Sequence, residues 1–267
     1  MREHAIITGG SSGIGLATAR LLASRGIAVS LIARNQGKLA AAQDGILSQG
    51  NGVGEVQTFS ANVCNATELK EAIDAAAARF GAPSWAVSSA GMVIPGTFAS
   101  QSLEDHESQW RTNYLGSLNF AHLVLPHLAA AGKPKLVFIS SGAAYLGLYG
   151  YSSYGPSKFA VKGLAESLSA ELKSRNVSVT VAFPGDTDTP QLRAELPKRP
   201  AVTSKLAGRG VMSADSVARG IVAAAERGDL EVTFGLKLRL LSRTHSMIAP
   251  LFRSYQDWLV RRFGEPS

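Results

Sequence analysis

The feature of this sequence that most constrains its fold is the alternation of short apolar segments with longer helical patterns. The strand-like segments are HAIIT, IAVSLIA, EVQTFSANV, WAVSSAG, KLVFIS and VSVTVAF. Helical patterns separate them, from Ile14 to Arg25, around Lys38 and Ala41, from Thr67 to Phe80, from Ser102 to Ala130 and from Tyr154 to Arg175. Continuous apolar runs suit strands that are buried on both faces. Their strict alternation with helices predicts an α/β fold in which helices cover both faces of a doubly wound parallel sheet.

The chain shows no internal repeat and no linker, so we predict one domain. Its 45% apolar and 18% charged residues are typical of a globular protein. We expect residues 1–235 to form the catalytic domain and residues 236–267 to form a basic amphipathic extension. The interval from Gly185 to Val211 lacks clear helix or strand patterns. Long loops of this kind are often functional, and we interpret this one as a substrate lid.

A glycine-rich loop, TGGSSGIG from Thr8 to Gly15, joins the first predicted strand to the first predicted helix. Glycines let the backbone turn tightly and approach a pyrophosphate, whose charge is favoured at a helix N-terminus. A plain strand-to-helix turn is the alternative, but the strand, loop and helix context is that of dinucleotide-binding sites. We therefore predict a Rossmann fold with a bound dinucleotide and no metal site.

The end of the second predicted strand indicates which dinucleotide binds. NAD sites place an acidic residue there to bind the ribose 2′-hydroxyl. This chain has Ala33 and Arg34 instead, and Lys38 follows one helical turn later. A guanidinium group suits a 2′-phosphate, so we expect NADPH. The alternative is an ordinary solvated basic helix start.

The segment from 142 to 163 holds four of the six tyrosines: Tyr145, Tyr149, Tyr151 and Tyr154. Reduction of a ketone needs a proton donor, and an unperturbed phenol with a pKa near 10 is a slow one. A lysine ammonium lowers such a pKa, and helical residues four apart share a face. Only Tyr154 has a cation four residues later, Lys158. We expect Tyr154 to be the acid and the other three tyrosines to line the substrate pocket.

Five ordered motifs give the chain a resemblance to the short-chain dehydrogenase/reductase family over almost its whole length. They are TGGSSGIG, RTNYLG, ISSG, YGPSK and PGDTDTP. The resemblance implies a catalytic set of Asn113, Ser141, Tyr154 and Lys158, in which Asn113 anchors a water of the proton relay. It also implies cofactor contacts from Gly9, Ser11, Ser12, Gly13, Ile14, Gly15, Arg34, Lys38, Asn62, Val63, Ala90, Gly91, Tyr154, Lys158, Pro184, Gly185, Thr187 and Thr189.

Two positions depart from the family pattern. Ser88 and Ser89 stand where the family usually has two asparagines before Ala-Gly. Asn62 stands where an aspartate commonly meets the adenine. Hydroxyl and amide groups can still form hydrogen bonds at these positions, so we expect altered contacts and an unaltered reaction.

A narrower resemblance concerns the substrate. LYGYSSYGPSKFAVKGLAESL and VAFPGDTDTPQL are similar to 3-ketodihydrosphingosine reductases, a lipid branch of the family. The resemblance implies NADPH-dependent reduction of the 3-keto group of a long-chain sphingoid base in sphingolipid synthesis. Two alternatives stay open: another hydrophobic ketone or alcohol, such as a steroid, retinoid or acyl chain, and a dinucleotide sensor that has lost the chemistry.

The C-terminal segment has an apolar stripe with basic neighbours. From Pro250 onward the stripe comprises Leu251, Phe252, Tyr255, Trp258, Leu259 and Phe263. Residues 190–267 carry 13 basic and 7 acidic groups, against 14 and 13 in residues 1–189. A basic amphipathic helix can lie in a membrane interface; packing on the domain or on a subunit partner is the alternative.

Partners and location are expected as follows. The lid would cover a long-chain ketone lipid with the help of Lys198, Arg199 and Lys205, which could equally belong to a solvated loop. We expect a homo-oligomer, either a dimer or a tetramer, and no nucleic-acid binding, since no base-reading motif accompanies the basic residues. The N-terminus has no signal-peptide pattern and the chain has one cysteine, Cys64, which favours the cytoplasm or the cytoplasmic face of a membrane.

Overall fold

A seven-stranded sheet in which every neighbouring pair is parallel forms the centre of the molecule. The computed structural model describes residues 3–50, 52–128, 133–208 and 210–264. The sheet strands are β1 (His4–Thr8), β2 (Ala28–Ala33), β3 (Val56–Ser60), β4 (Trp85–Ser88), β5 (Lys135–Ile139), β6 (Ser178–Phe183) and β9 (Glu231–Thr233). Their spatial order is β3-β2-β1-β4-β5-β6-β9. A short parallel pair, β7 (Thr187–Asp188) and β8 (Met212–Ser213), lies outside the sheet.

Helices cover both faces of this sheet, which confirms the predicted doubly wound architecture. They are α1 (Gly13–Ala23), α2 (Gln36–Leu47), α3 (Ala66–Phe80), α4 (Leu103–Trp110), α5 (Gly116–Val124), α6 (Tyr154–Glu171), α7 (Pro190–Glu195), α8 (Ala201–Ala207), α9 (Ala214–Arg227) and α10 (Gly235–Phe263). The core layer on one face includes Leu69 of α3, Phe120 of α5 and Val161 of α6. Leu22 and Ile46 belong to the core layer on the other face, where α9 also packs.

The strand order places a crevice above the carboxyl end of the sheet. The chain builds β1, β2 and β3 outward in one direction and then returns to add β4 on the other side of β1. Ligands of open α/β sheets bind at such a reversal point. The loops after β1, β4 and β5 meet there.

The long predicted helix from Ser102 to Ala130 consists of several pieces. A π-turn over Arg111–Leu115 separates α4 from α5, and a 3-10 turn follows α5. Single π-turns within helices are frequent at functional sites, and this one contains Asn113. Ala129 and Ala130 lie outside the described residues.

The prediction of a structure-poor interval from Gly185 to Val211 was wrong. This interval contains β7, α7 and α8. Pro190 is at the first turn of α7 and Pro200 is the N-cap residue of α8. Prolines are tolerated at helix starts, where their missing N–H group has no intrahelical partner. Residue 209 of this interval lies outside the described residues.

The last third also contains elements that were not predicted from the sequence. These are α9 and the edge strand β9, whose three residues are only half-buried. Directly after β9, α10 runs as one helix from Gly235 through Pro250 to Phe263. Residues 265–267 of the predicted extension lie outside the described residues.

Candidate active site

The loop after β1 is shaped by glycines in close contact with neighbouring backbone. Gly9 has a φ of +66°, and a Cβ added to it would lie 2.7 Å from Ala90 N. A Cβ on Gly15 would lie 2.5 Å from Gly9 O. Gly15 thus lets the first turn of α1 pack closely on the loop; it is not part of the cleft wall, and its contact with the cofactor stays a prediction. The other predicted loop residues all line the cleft: Gly9, Ser11, Ser12, Gly13 and Ile14.

The N-terminus of α1 is suited to an anion. Ser12 is the N-cap residue, but its side chain makes no capping hydrogen bond, and the first turn has no acidic residue. The first backbone N–H groups of a helix have no intrahelical acceptor, and the helix dipole favours negative charge there. Free donors beside a close backbone approach are what a pyrophosphate requires, so this loop fits the predicted dinucleotide.

The cleft above the sheet has a volume of about 780 Å³. Its wall contains 17 of the 18 predicted cofactor residues, all but Gly15. Arg34 and Lys38 lie at its β2 end, both exposed, and neither side chain has an ion-pair or hydrogen-bond partner among the described residues. The Asn35 side chain caps α2 by accepting from Lys38 N at 2.8 Å. Two free cations at this end suit a phosphate group.

Asn62, in the turn after β3, and Ser88, at the end of β4, make hydrogen bonds within the protein. Asn62 Oδ1 accepts from Cys64 N at 3.1 Å in the turn after β3. Ser88 donates to Ser117 Oγ at 3.1 Å beneath the cleft, and Ser89 lines the cleft. The Ser88 side chain therefore has a hydrogen-bond partner at a position where the family pattern has an amide.

Three of the four predicted catalytic residues meet at the end of β5. Ser141 caps the 3-10 turn that follows this strand, and its Oγ accepts from Ala143 N at 3.2 Å. Tyr154 begins α6, and Lys158 lies one helical turn further along. Lys158 Nζ lies 5.7 Å from the centroid of the Tyr154 ring and donates to Ile139 O at 3.0 Å. Ser141, Tyr154 and Lys158 all line the cleft.

The protonation of this pair differs from the sequence prediction. Burial raises the pKa of Tyr154 to about 12, opposed by a hydrogen bond with Ser141 and reinforced by the charges of Glu195 and Asp186. Burial lowers the pKa of Lys158 to about 8. The expected lowering of the Tyr154 pKa by Lys158 was therefore wrong, because desolvation of the phenol dominates. A raised pKa keeps the phenol proton in place at neutral pH.

Asn113 lies beneath the cleft wall. Its Oδ1 accepts from Met92 N at 2.8 Å, and its Nδ2 donates to Met92 O at 3.0 Å and to Ser157 Oγ at 2.9 Å. A Cβ added to Gly91 would lie 3.3 Å from Asn113 Oδ1 and 3.5 Å from Lys158 Nζ. Asn113 therefore joins the segment after β4 to α6 beside Lys158. Its role as the anchor of a relay water stays a prediction.

Only one of the three predicted pocket tyrosines lines the cleft. Tyr151 does so, and its ring lies edge-on to that of Tyr154 with centroids 5.2 Å apart. Tyr145 belongs to the core, where its ring packs on Phe183. Tyr149 is half-buried against α10, and its backbone N–H donates to Gln256 Oε1 at 3.0 Å. The 3-10 turn after Ser141 directs Tyr145 inward, which the spacing of the tyrosines did not indicate.

A charge cluster in the segment predicted to be the lid lines the same end of the cleft; it comprises Asp186, Glu195 and Arg199. Arg199 donates to both carboxylate oxygens of Asp186, at 2.7 and 2.9 Å, and to Glu195 at 2.7–2.8 Å. Tyr151 Oη donates to Glu195 Oε1. Of these residues only Arg199 and Tyr151 had been singled out from the sequence. The four-residue spacing of Glu195 and Arg199 is that of an ion pair on a helix. This spacing predicts the pair only if the segment is helical, and the helix α7 had not been predicted.

The C-terminal helix α10 packs on the domain and covers part of the cleft. Leu238 lies over Gly142, where an added Cβ would meet its Cδ2 at 2.7 Å. Leu259 is buried, and Lys205 Nζ lies 3.9 Å from the centroid of the Phe263 ring. The apolar residues of the cleft around this helix are Leu146, Leu148, Leu206, Met212, Phe234, Leu238, Leu241 and Phe252. This wall can hold an apolar chain.

The predicted apolar stripe of α10 is divided between two surfaces. Phe252, Leu259 and Phe263 face the domain. A second row points to solvent, and we call it the α10 stripe: Leu240, Met247, Leu251, Tyr255 and Trp258. Its spacings of seven, four, four and three residues keep it on one helical face. The basic residues of α10 are exposed as well: Lys237, Arg239, Arg243, Arg253, Arg261 and Arg262.

Comparison with known proteins agrees with this geometry. Residues 3–200 match the family model described as short chain dehydrogenase. The chain is 35% identical over 251 residues to a 3-ketodihydrosphingosine reductase of Bos taurus, covering 93% of this chain and 76% of the relative. It is 38% identical over 252 residues to a 3-dehydrosphinganine reductase of Arabidopsis thaliana, covering 93% and 74%.

A solved structure shares the fold. It is a short chain dehydrogenase/reductase from Burkholderia phymatum in complex with NAD, with a TM-score of 0.82. The superposition covers 94% of this chain and 95% of the other at 23% sequence identity.

Proposed function

The chain belongs to the short-chain dehydrogenase family, and we propose that it reduces the 3-keto group of 3-ketodihydrosphingosine to the hydroxyl of dihydrosphingosine in sphingolipid synthesis. It is an oxidoreductase acting on ketone and CH–OH groups. One observation carries the proposal: Ser141, Tyr154 and Lys158 lie together in a cleft that continues into an apolar wall. The relatives named above carry the same activity in their names.

The protein groups supply the proton half of the reaction. A reduced nicotinamide supplies the hydride to the carbonyl carbon when it is bound. Tyr154 donates its proton to the carbonyl oxygen, which completes the alcohol. Tyr154 carries this proton at neutral pH, because its pKa lies well above 7. Ser141 hydrogen-bonds the same oxygen and positions it, and this electrostatic help grows as negative charge develops on the oxygen.

The hydride donor in this proposal is NADPH. The support is the pair of exposed cations, Arg34 and Lys38, at the end of the cleft where the adenosine ribose would lie. A 2′-phosphate would accept charge-assisted hydrogen bonds from them, whereas a 2′-hydroxyl would gain much less. Arg34→Ala should lower the preference for NADPH over NADH about tenfold or more. Arg25→Ala is the matched control, since Arg25 pairs with Glu226 outside the cleft. An unchanged preference in Arg34→Ala would contradict the cofactor assignment.

The experiment that tests the proposed function is a turnover screen. Purified protein and NADPH are mixed with 3-ketodihydrosphingosine, a steroid ketone and a short-chain ketone, and loss of reduced nicotinamide is followed. We expect the sphingoid ketone to be the best substrate. Tyr154→Phe should lower its turnover by roughly two orders of magnitude or more, while Tyr149→Phe, outside the cleft wall, keeps it. A better steroid substrate would favour the alternative hydrophobic ketone, and full turnover by Tyr154→Phe would refute the mechanism.

We also propose that α10 contacts a membrane, where a long-chain ketone would be found. No helix in the described part of the chain is long and apolar enough to cross a bilayer. The support is the α10 stripe with its basic neighbours, an arrangement typical of helices that lie in the interface. Leu251→Glu should reduce flotation with anionic liposomes. Leu103→Glu is the control, because Leu103 on α4 is 76% exposed and Leu251 is 74% exposed.

Oligomeric state and location stay predictions. A homodimer or tetramer would have candidate contacts at Trp110 on α4 and Phe159 on α6, which are 40% and 41% exposed. Light scattering after gel filtration would measure the mass, and a monomer would contradict the prediction. A place on the cytoplasmic face of a membrane would be tested by cell fractionation with protease protection.

A further inference from the structure

The lid charge cluster consists of Asp186, Glu195 and Arg199, and the reduction step described above gives these three residues no role. Its two carboxylates share a single guanidinium group. The side chains are 18% exposed for Asp186, 7% for Glu195 and 2% for Arg199. The cluster therefore holds one excess negative charge in a position that is mostly shielded from water.

An excess buried charge is costly unless a counter-charge or hydrogen bonds compensate it. Tyr151 donates one hydrogen bond to Glu195 Oε1, and Arg199 Nε donates to the same atom at 2.8 Å. Glu195 Oε2 makes no hydrogen bond within the described part of the chain. A carboxylate has about four acceptor sites, so capacity for a further donor remains on both acids.

The cluster faces the reacting end of the cleft. Asp186, Glu195 and Arg199 all line the cleft wall. Tyr151, which donates to Glu195, lies edge-on to Tyr154 with ring centroids 5.2 Å apart. Both carboxylates are close enough to Tyr154 to raise its pKa.

The other cations of the cleft wall lie elsewhere. Arg34 and Lys38 are at the β2 end, on the opposite side of the sheet centre. Lys158 donates to Ile139 O at the end of β5, and Lys237 is exposed in the first turn of α10. Within the described residues, Arg199 is the cation that is paired with these two acids.

We propose that Asp186 and Glu195 bind the protonated amine of the substrate and thereby select 2-amino ketones over plain ketones. The inference rests on the proposed function, because in 3-ketodihydrosphingosine the amine is carried by the carbon next to the ketone. When that ketone oxygen contacts Tyr154 and Ser141, the neighbouring ammonium group lies on the lid side or the β5 side of the cleft. Among the described residues of the cleft wall, the carboxylates are those of Asp186 and Glu195, both on the lid side.

The binding step needs no bond to be made or broken. The ammonium donates hydrogen bonds to Asp186 and to Glu195 Oε2, and Arg199 keeps its own contacts with both. Hydrogen bonds between charged groups are about twice as strong as neutral ones. The alkyl chain then leaves toward the apolar wall formed by Leu206, Leu238 and Phe252.

The test compares two ketone substrates, with and without the amine, in the wild type and in variants of Asp186 and Asp188. Turnover of 3-ketodihydrosphingosine is measured beside that of the same long-chain 1-hydroxy-3-ketone without the amine. We expect the wild-type protein to prefer the amino ketone in kcat/KM by about tenfold to a hundredfold, and Asp186→Asn to reduce this ratio about tenfold. Asp188→Asn is the matched control, because Asp188 lies two residues further along and pairs with exposed Arg193. This control should keep the wild-type ratio.

Glu195→Gln provides a second, independent variant, and thermal unfolding confirms that each variant is folded. A measurement without any variant is competitive inhibition of the wild-type protein by octadecylamine and by octadecan-1-ol. The amine should inhibit at about tenfold lower concentration. Equal inhibition by the two compounds would overturn the proposal even if both variants failed to fold.

The results separate this inference from the proposed function. Equal wild-type kcat/KM for both ketones, or an unchanged ratio in both folded variants, would overturn amine recognition and leave the reductase activity standing. Absence of wild-type turnover with the amino ketone, together with turnover of a steroid ketone, would overturn the proposed function. If kcat/KM of the folded Asp186 or Glu195 variant falls for the amino ketone and not for the plain ketone, both the amine recognition and the proposed function are supported.

Discussion

Replacement of Gly9 by alanine tests the phosphate-binding loop most directly. The φ of Gly9 is +66°, a left-handed conformation that costs a residue with a Cβ roughly 1–2 kcal/mol. The new Cβ would also lie 2.7 Å from Ala90 N and 2.8 Å from Ser89 C and O. These are backbone atoms between β4 and the cleft, and they cannot rotate away as a side chain could.

The magnitude follows from these two costs. Forced overpacking adds about 1–3 kcal/mol, so Gly9→Ala should lower the free energy of unfolding by roughly 2–5 kcal/mol. Gly228→Ala isolates the backbone cost. Gly228 ends α9 with a φ of +78°, and its Cβ would meet only Ser178 Oγ, at an ordinary 3.6 Å. This control should lose only the roughly 1–2 kcal/mol of the left-handed conformation.

Two assays separate stability from binding. Urea unfolding gives the free energy of unfolding from the linear dependence on denaturant. Equilibrium titration with NADPH gives the dissociation constant. We expect Gly9→Ala to weaken NADPH binding at least tenfold, because the displaced loop carries the backbone donors at the N-terminus of α1. Gly228→Ala should bind NADPH like the wild type.

The reasoning would be refuted by either of two results. One is a Gly9→Ala protein that is no less stable than Gly228→Ala, since the overlap with Ser89 and Ala90 would then be relieved without cost. The other is an unchanged NADPH affinity in Gly9→Ala, which would mean that this loop does not hold the dinucleotide.

Two further predictions concern the C-terminal helix and the buried lysine. Leu259→Ala should lower the free energy of unfolding by about 2–5 kcal/mol, because the Leu259 side chain is only 2% exposed. Leu251→Ala is the control and should change the free energy of unfolding by less than about 0.5 kcal/mol, because Leu251 is 74% exposed. Equal effects of the two substitutions in urea unfolding would show that the packing of α10 does not depend on Leu259. Burial lowers the Lys158 pKa from 10.5 to about 8, so between these values the unfolded chain binds more protons and stability rises with pH. The contribution of Lys158 should rise by about 2–3 kcal/mol from pH 8 to pH 10. Buried tyrosines with raised pKa values, Tyr154 among them, oppose it near pH 10, so the wild type is compared with Lys158→Met, and the same pH dependence in both proteins would contradict the buried position of the ammonium.

Local spacing determined which parts of the site could be predicted. Tyr154 and Lys158 are one helical turn apart on α6, so their proximity follows from the helix alone. The contacts of Tyr145 and Tyr149 depend on how the turn after Ser141 is folded and on α10, which lies about a hundred residues further along. No periodicity in the tyrosine-rich segment carries that information, so the pocket walls were predicted correctly only for Tyr151.

Three prolines lie where the structure of the last third of the chain goes beyond the sequence prediction. Pro190 and Pro200 belong to the interval that was predicted to lack helices and strands, whereas they stand at the starts of α7 and α8. The apolar stripe was predicted from Pro250 onward, whereas α10 runs through this proline from Gly235. The proline ring prevents one intrahelical hydrogen bond, and contacts of Leu241, Phe252 and Leu259 with the domain support the helix on both sides of it. Tertiary packing thus decided the outcome, and local propensity could not indicate it.

The lid charge cluster connects substrate recognition to proton donation. Glu195 and Asp186 reinforce the raised pKa of Tyr154, whereas Arg199 opposes it. A bound ammonium group would offset part of the negative charge on the lid side and so lower the pKa of Tyr154 toward its ordinary value. A general acid donates faster as its pKa approaches the working pH. The 2-amino group should therefore raise kcat as well as lower KM, whereas an amine that served only for binding would change KM alone. Separate measurements of kcat and KM for the amino ketone and the plain ketone distinguish these two roles of the amine. An equal kcat for both ketones would show that Asp186 and Glu195 contribute to binding only.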